Sequence, residues 1–185
     1  DFGLTHSVGY TFMREDLSEV KPDAVLSSLD QGWLDLAFLS GTLNLDKRNN
    51  PVNPGGGYFA SLDYRLATEL LGGQANYGAV AGRFSILHEI FGPEWLLANN
   101  TRAACAWGFG GTPEIPISER YFMGGRTTVR GYGENSLGPR GAGGSVVGGD
   151  LLLQNNLELR RLITETLSLN LFLDGGNSYL KGKGC

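Results

Sequence analysis

The fold is decided by residues 150–160, which read DLLLQNNLELR. Successive positions of this stretch alternate between two faces, and one face is mostly leucine while the other is mostly polar. A period of two is typical of a β-strand whose faces meet different surroundings. The first face carries Leu151, Leu153, Asn155, Leu157 and Leu159, and the second carries Asp150, Leu152, Gln154, Asn156, Glu158 and Arg160.

Residues 58–70 and 166–174 repeat this alternation. Runs of this kind exceed the ~5–6 residues of a usual soluble strand and approach the ~9–11 residues that a tilted strand needs to cross a bilayer. In a membrane barrel the polar face lines a wet lumen and the leucines face lipid. The pattern therefore predicts an all-β fold, an up-and-down antiparallel transmembrane barrel.

Four less regular segments complete the predicted sheet, at about 3–13, 33–45, 75–87 and 95–109. Alanine, glycine and asparagine dilute their alternation, and a short amphipathic helix would imitate any one of them. Counted as strands, they bring the total to about seven. An odd count does not close a bacterial barrel, and an open sheet edge is costly in lipid. We therefore expect residues 1–185 to be part of a larger barrel, with further strands before and after them or from partner chains.

The links between the predicted strands alternate in length. The first is long and acidic and includes residues 14–16 and 21–23, and the fifth runs from about 110 to 145. Successive links of an up-and-down barrel lie on opposite sides of the membrane. The two long links then share one side, as extracellular loops do.

Composition excludes several functions. The net charge of −4 over 185 residues leaves no basic patch for nucleic acid. No run of ~18 apolar residues predicts a transmembrane helix. Two cysteines, Cys105 in mid-segment and Cys185 at the last position, form no obvious disulfide framework. Both histidines lie far in sequence from both cysteines and from each other, so no metal site is predicted.

The long fifth link contains residues 117–132, ISERYFMGGRTTVRGY. This stretch resembles the ERFxxGG…VRGY/F signature of the outer-membrane assembly factor superfamily, the BamA/TamA-like barrels that include the bacterial surface antigens. Residues 53–58 also resemble the family's NPxxG-Y strand entry. In the family, the signature loop folds back into the barrel and its arginine meets acids on the inner wall.

The resemblance assigns roles to residues of this chain. It implies a loop-lock motif of Val129, Arg130, Gly131 and Tyr132, with Glu158 and Asp174 as lumen acidic partners. A guanidinium confined in a lumen needs such carboxylates. The other reading of Arg130 is a solvent-exposed loop arginine. Arg126 and Arg140 are expected to be ordinary loop charges, and Arg102 to face the lumen. The supporting motif residues are Gly124, Gly125, Phe172, Gly175 and Gly176.

The resemblance also implies a function. It predicts an outer-membrane factor that inserts other β-barrel proteins, through a partly open barrel in a thinned bilayer. Its partners would be the lipid bilayer, unfolded outer-membrane or secreted polypeptides, and periplasmic or inner-membrane accessory proteins. Two alternatives stay open: a two-partner secretion transporter, and a barrel that anchors an upstream lipase-like enzyme. The location would be a Gram-negative outer membrane or its organelle equivalent. The family's POTRA domains and last strands are absent from these residues.

The sequence gives little support for catalysis. It lacks a G-x-S-x-G nucleophile elbow, and His88-Glu89 does not begin an H-E-x-x-H motif. No glycine-rich phosphate loop precedes a lysine and a serine or threonine. We expect neither an enzyme nor a cofactor in this segment.

Overall fold

The computed structural model describes residues 3–24, 27–164 and 166–180. Within these residues, the chain forms one sheet in which each strand pairs antiparallel with the next in sequence, and the predicted all-β up-and-down fold is confirmed. No helix in the described part is both long and apolar enough to cross a membrane. The strands are β1 (Leu4–Leu17), β2 (Gly32–Asp46), β3 (Gly57–Ala67), β4 (Tyr77–Glu89), β5 (Trp95–Gly108), β6 (Leu151–Leu162) and β7 (Ser168–Tyr179).

The four irregular segments are all strands, and two boundaries differ from those expected. Residues 14–16 belong to β1 rather than to a loop, because they pair with the start of β2. Arg14 donates two hydrogen bonds to Asp35 across that pair, at 2.5 and 2.7 Å. At the second boundary, β3 ends at Ala67, and the hydroxyl of Thr68 then caps a short 3-10 turn over Glu69–Leu71. Local capping therefore ends a strand whose alternation continues in sequence.

The strand register gathers large apolar side chains on the outer face of the sheet. Directly opposed residues in neighbouring strands point the same way, so Leu157 of β6 and Leu173 of β7 share this face. Exposed apolar side chains in such number are typical of a surface that faces lipid. Others on the same face include Val8, Tyr10, Leu43, Leu62, Phe84 and Leu171.

The inner face is covered in part by the link between β5 and β6, residues 109–150, which we call loop 5. Ile115 of loop 5 joins a buried cluster with Leu36 and Tyr77. Met123 and Val129 of loop 5 pack in a second buried cluster on the wall. Loop 5 therefore lies against the inside of the sheet instead of extending away from it.

The two faces of β7 give a direct test of this orientation. A spin label at Leu169 or Leu171 should be relaxed by a lipid-borne agent, because these side chains lie on the outer face. A label at Asn170, which lies on the inner face, should respond to a water-soluble agent instead. Equal responses at Leu171 and Asn170 in the full-length protein would contradict the orientation.

Candidate functional site

Two isolated backbone bridges hold loop 5 together, and a buried methionine packs it against the wall. Tyr121 bridges to Gly149, and Met123 bridges to Leu137. Met123 is fully buried on the wall beside Gly176 of β7. A Cβ added at Gly176 would lie 2.7 Å from the terminal methyl of Met123 and 2.6 Å from a backbone oxygen of β6. A side chain at Gly176 would therefore clash with the β6 backbone, and its absence leaves room for the end of the Met123 side chain against β7.

Arg130 is held to Asp174 of β7 by its side chain and its backbone together. Its Nε donates to Oδ2 of Asp174 at 2.7 Å, and its Nη2 donates to Oδ1 at 2.8 Å. The backbone N–H of Arg130 donates to the same Oδ2 at 2.9 Å. The Asp174 side chain is 3% exposed. A nearly buried carboxylate that accepts a two-pronged guanidinium contact fixes both the position and the orientation of the loop.

Two further groups surround the same guanidinium. Oε1 of Glu158 on β6 lies 3.6 Å from Nη1 of Arg130, and the other carboxylate oxygen of Glu158 accepts a hydrogen bond from Arg160 at 2.8 Å. The ring of Phe172 lies under Arg130, with its centroid 3.7 Å from the guanidinium carbon. An aromatic face in this position attracts the cation. The structure thus brings together Arg130, Glu158, Asp174 and Phe172.

Asn156 belongs to this site, although sequence reasoning gave it no role. Its Nδ2 donates to Asp174 at 2.8 Å and to the backbone carbonyl of Thr128 at 2.7 Å. Gln154 donates in turn to Oδ1 of Asn156 at 2.6 Å. The amide therefore joins the wall, the carboxylate and the loop backbone. Its place on the polar face of β6, two residues before Glu158, was the available signal.

A second anchor lies nearer the start of loop 5 and was also missed. Glu119 forms an ion pair with Arg65 of β3 and accepts a hydrogen bond from the Tyr77 hydroxyl at 2.8 Å. The guanidinium carbon of Arg65 lies 4.2 Å from the centroid of the Phe38 ring. Here too a charge pair and an aromatic face hold one loop residue. Glu119 is part of the quoted motif, and Arg65 lies on the polar face of residues 58–70, so the two signals were present separately.

The remaining predicted residues have more varied positions. Gly124 has a φ of +105°, and an added Cβ would lie 2.3 Å from the carbonyl oxygen of Gly133, so glycine is required there. Tyr132 is 56% exposed and follows the positive-φ Gly131. Gly175 lies on the outer face, where an added Cβ would meet nothing within 4 Å.

The other residues considered from the sequence lie in loop 5 and on β5. Gly125 has a positive φ and its amide donates to the Tyr132 carbonyl at 3.1 Å. Of the arginines, Arg126 is exposed, and Arg140 donates hydrogen bonds to the backbone carbonyls of Ser136 and Gly144 within loop 5. Arg102 of β5 pairs with Gln154 on the inner face, as expected.

Loop 5 also contacts the link between β1 and β2. The backbone N–H of Ser145 donates to Oδ2 of Asp23 at 3.0 Å, and this hydrogen bond lowers the pKa of Asp23. A Cβ added at Gly141 would lie 2.0 Å from the Asp23 carbonyl oxygen. The two long links that share one side of the sheet are therefore in direct contact. No grouping of histidine, cysteine, aspartate and glutamate among the described residues would hold a metal ion.

Comparisons with known proteins identify the family of this chain. The Omp85 superfamily domain matches residues 3–184, and the chain belongs to the Omp85 superfamily. It is 30% identical over 112 residues to the outer membrane protein assembly factor BamA of Nitratidesulfovibrio vulgaris, which covers 59% of this chain and 14% of that protein. It is 29% identical over 129 residues to the sorting and assembly machinery component 50 homolog of Bos taurus, covering 65% of this chain and 25% of that protein.

A solved structure supports the fold. The chain superposes with a TM-score of 0.80 on the crystal structure of BamA from Haemophilus ducreyi lacking POTRA domains 1–3, at 20% identity. The match covers 97% of this chain and 40% of that one. The chain therefore spans well under half the length of each of these proteins. Family and relatives together make it an outer-membrane protein.

Substitution of Arg130 tests how much the charge pair contributes to loop docking. Arg130→Ala should loosen loop 5 by about 2 kcal/mol, since hydrogen bonds to charged groups each contribute ~1.5–3 kcal/mol. Arg130→Lys should recover only part of this, because lysine keeps the charge but loses the planar fork. Limited proteolysis of loop 5 in the folded barrel measures the change. Arg126→Ala, at an exposed position of the same loop, is the matched control and should leave the cleavage rate unchanged.

The contact of Asp23 with Ser145 predicts a pH dependence. A carboxyl whose pKa is lowered on folding stabilises the folded state above its unfolded pKa, ~3.9, and this contribution is lost as the pH falls through the lower folded value. Loop 5 should therefore become more open to an acid-active protease below about pH 4. Asp23→Asn should remove this part of the pH dependence. An identical profile in the variant would show that Asp23 is not the responsible group.

Proposed function

We propose that this chain is part of a barrel that inserts other β-barrel proteins into the outer membrane. The observation that carries the proposal is the contact of Arg130 with Asp174 and Glu158, which holds loop 5 on the inner wall formed by β6 and β7. A barrel that serves only as an anchor has no need of a long loop held inside by a nearly buried ion pair. Both curated relatives are named as assembly components, which supports this proposal.

The contact acts in this proposal as a lock, defined as Arg130 together with Asp174 and Glu158. Strands β6 and β7 are paired along their whole length, and the lock and the Asn156 amide tie loop 5 to both of them. A wall braced in this way keeps its shape when a neighbouring part of the barrel opens for an incoming strand. Such opening is required in lipid because an incoming strand must find a hydrogen-bonding edge.

The described sheet is a partial barrel in this proposal. Within the described residues, β1 and β7 each pair with one neighbour only and are the edges of the sheet. Unpaired backbone groups are not tolerated in hydrocarbon, so further strands must cover both edges. We place these strands in the C-terminal barrel domain of a longer polypeptide. The partners proposed for that barrel are the bilayer, unfolded barrel proteins and periplasmic accessory proteins. The proposed role involves no catalysis and no cofactor.

Reconstitution tests this function. Vesicles that contain the full-length protein should accelerate the folding of an unfolded eight-stranded outer-membrane barrel, measured by its heat-modifiable mobility on gels, relative to empty vesicles. Arg130→Ala should slow this folding severalfold and Arg126→Ala should not. Transport of an unfolded polypeptide into the vesicle lumen, without acceleration of barrel folding, would favour the secretion alternative. Folding at the rate of empty vesicles would overturn the proposal.

A further inference from the structure

An arginine-rich cavity lies on the inner wall next to the lock. It has a volume of about 280 Å³, and the charged residues that line it are Arg48, Arg83, Glu158 and Arg160. We call it the arginine cavity. Its remaining lining comes from β4, β5 and β6, so loop 5 leaves it uncovered. The cavity is therefore open to the lumen.

The arginine cavity lies toward the end of the sheet that is opposite to loop 5. Arg48 is in the link that follows β2, and Arg160 is two residues from the end of β6. Because β2 and β6 run in the same direction, both of them end on the side away from loop 5. With the long links on the extracellular side, this is the periplasmic end of the lumen. A polypeptide that enters the barrel from the periplasm reaches this part of the wall first.

Most of the charges around the arginine cavity are already paired. Arg48 forms an ion pair with Asp46 at 2.6 Å. Arg160 donates to Glu158 at 2.8 Å, and Glu158 also lies 3.6 Å from Arg130 of the lock. One carboxylate thus serves two arginines, and the Nε of Arg160 is buried without a hydrogen-bond partner among the described residues. Neither carboxylate is therefore left for the third arginine of the cavity.

That third arginine, Arg83, has unused hydrogen-bonding capacity. It is exposed, its Nε donates to Oδ1 of Asn100 at 2.7 Å, and it forms no ion pair within the described ranges. The residue directly opposite on β5 is another arginine, Arg102, which also lacks an ion pair in the described part of the chain. Asp63 on the inner face of β3 accepts a hydrogen bond from Thr42 instead. Like charges directly opposite each other destabilise a sheet, so an anion bound here would relieve that repulsion.

We propose that the arginine cavity binds a carboxylate of an unfolded polypeptide that enters the lumen from the periplasm. This inference rests on the proposed function and names the chemistry by which the barrel would hold its substrate. The two terminal nitrogens of Arg83 are free to hold a carboxylate through paired hydrogen bonds. A chain with a net charge of −4 has no general excess of positive charge, so the cavity is a local feature.

The position of the arginine cavity favours a polypeptide over a lipid. A lipid phosphate offers similar acceptors, but lipid meets the outer face of the wall and the cavity is on the inner face. The amides of Asn100 and Asn156 also line the cavity, and an amide both donates to and accepts from a peptide backbone. An ion pair in a wet lumen is weak, which allows the substrate to be released.

Peptide binding to the full-length protein in phosphatidylcholine nanodiscs tests the proposal. Fluorescence anisotropy should show tighter binding of a labelled aspartate-rich peptide than of the same peptide with asparagine in place of aspartate. Arg83→Gln should weaken binding of the aspartate peptide about fivefold, the upper range for a solvated ion pair. Glutamine keeps a donor for Asn100. Arg161→Gln is the matched control, because Arg161 follows Arg160 on the outer face, and it should leave binding unchanged.

Several outcomes of this binding experiment would overturn the proposal. Equal affinity for the two peptides would exclude recognition of carboxylates, and equal affinity of the wild type and Arg83→Gln would exclude the arginine cavity as the site. Displacement of the peptide by inorganic phosphate at the same molar concentration would show a site for small anions only. Failure of the wild type to bind either peptide would show that another part of the full-length chain already fills the cavity.

Photo-cross-linking locates the bound polypeptide independently. A photoreactive phenylalanine at Ser85, which lines the arginine cavity, should link to an unfolded outer-membrane barrel protein added to vesicles with the full-length protein. The same label at Phe84, on the outer face, should link to lipid. Equal linking of the substrate from both positions would contradict the proposal. Acceleration of barrel folding together with failure of both binding tests would overturn this inference alone, whereas binding without acceleration would overturn the insertion function alone.

Discussion

Backbone hydrogen bonding in lipid is the constraint on which the rest of this structure depends. Each strand of the described sheet can cross a bilayer only because its N–H and C=O groups are paired with a neighbour. Pairing in sequence order fixes which residues lie opposite each other, and so fixes two chemically different faces. The outer face meets lipid with leucine and aromatic rings. The inner face can therefore hold the charged residues that form the candidate site.

The inner site follows from that division. Glu158 and Asp174 lie on neighbouring strands because β6 and β7 pair, with Asn156 directly opposite Asp174. Arg130 arrives from a loop whose buried residues, Met123 and Val129, bring it to the wall. Apolar packing thus delivers the loop, and the charge pair sets its final position. Each contribution depends on the other, because an unpaired guanidinium against this wall would be costly.

Sequence patterns were sufficient for the wall and insufficient for its edges and for the contacts of the loop. The alternation of residues 150–160 predicted which side chains face the lumen, because that choice depends only on local period. The boundary at Arg14 could not be predicted, because charged residues at a strand end are stabilised there by a neighbouring strand, through Asp35. The roles of Asn156 and of the Arg65 pair with Glu119 also depend on the path of loop 5, which no local pattern specifies.

The docking of Arg130 onto Asp174 has a consequence for the order of folding. The two residues are separated by 44 positions, and Asp174 comes later in the chain. Its carboxylate is in place only after β7 has joined β6, so the loop cannot reach its final position earlier than the strand that follows it. Closing so long a connection has an entropic cost that the finished wall must already offset. Docking of loop 5 therefore requires that β5, β6 and β7 have already been assembled in their correct register.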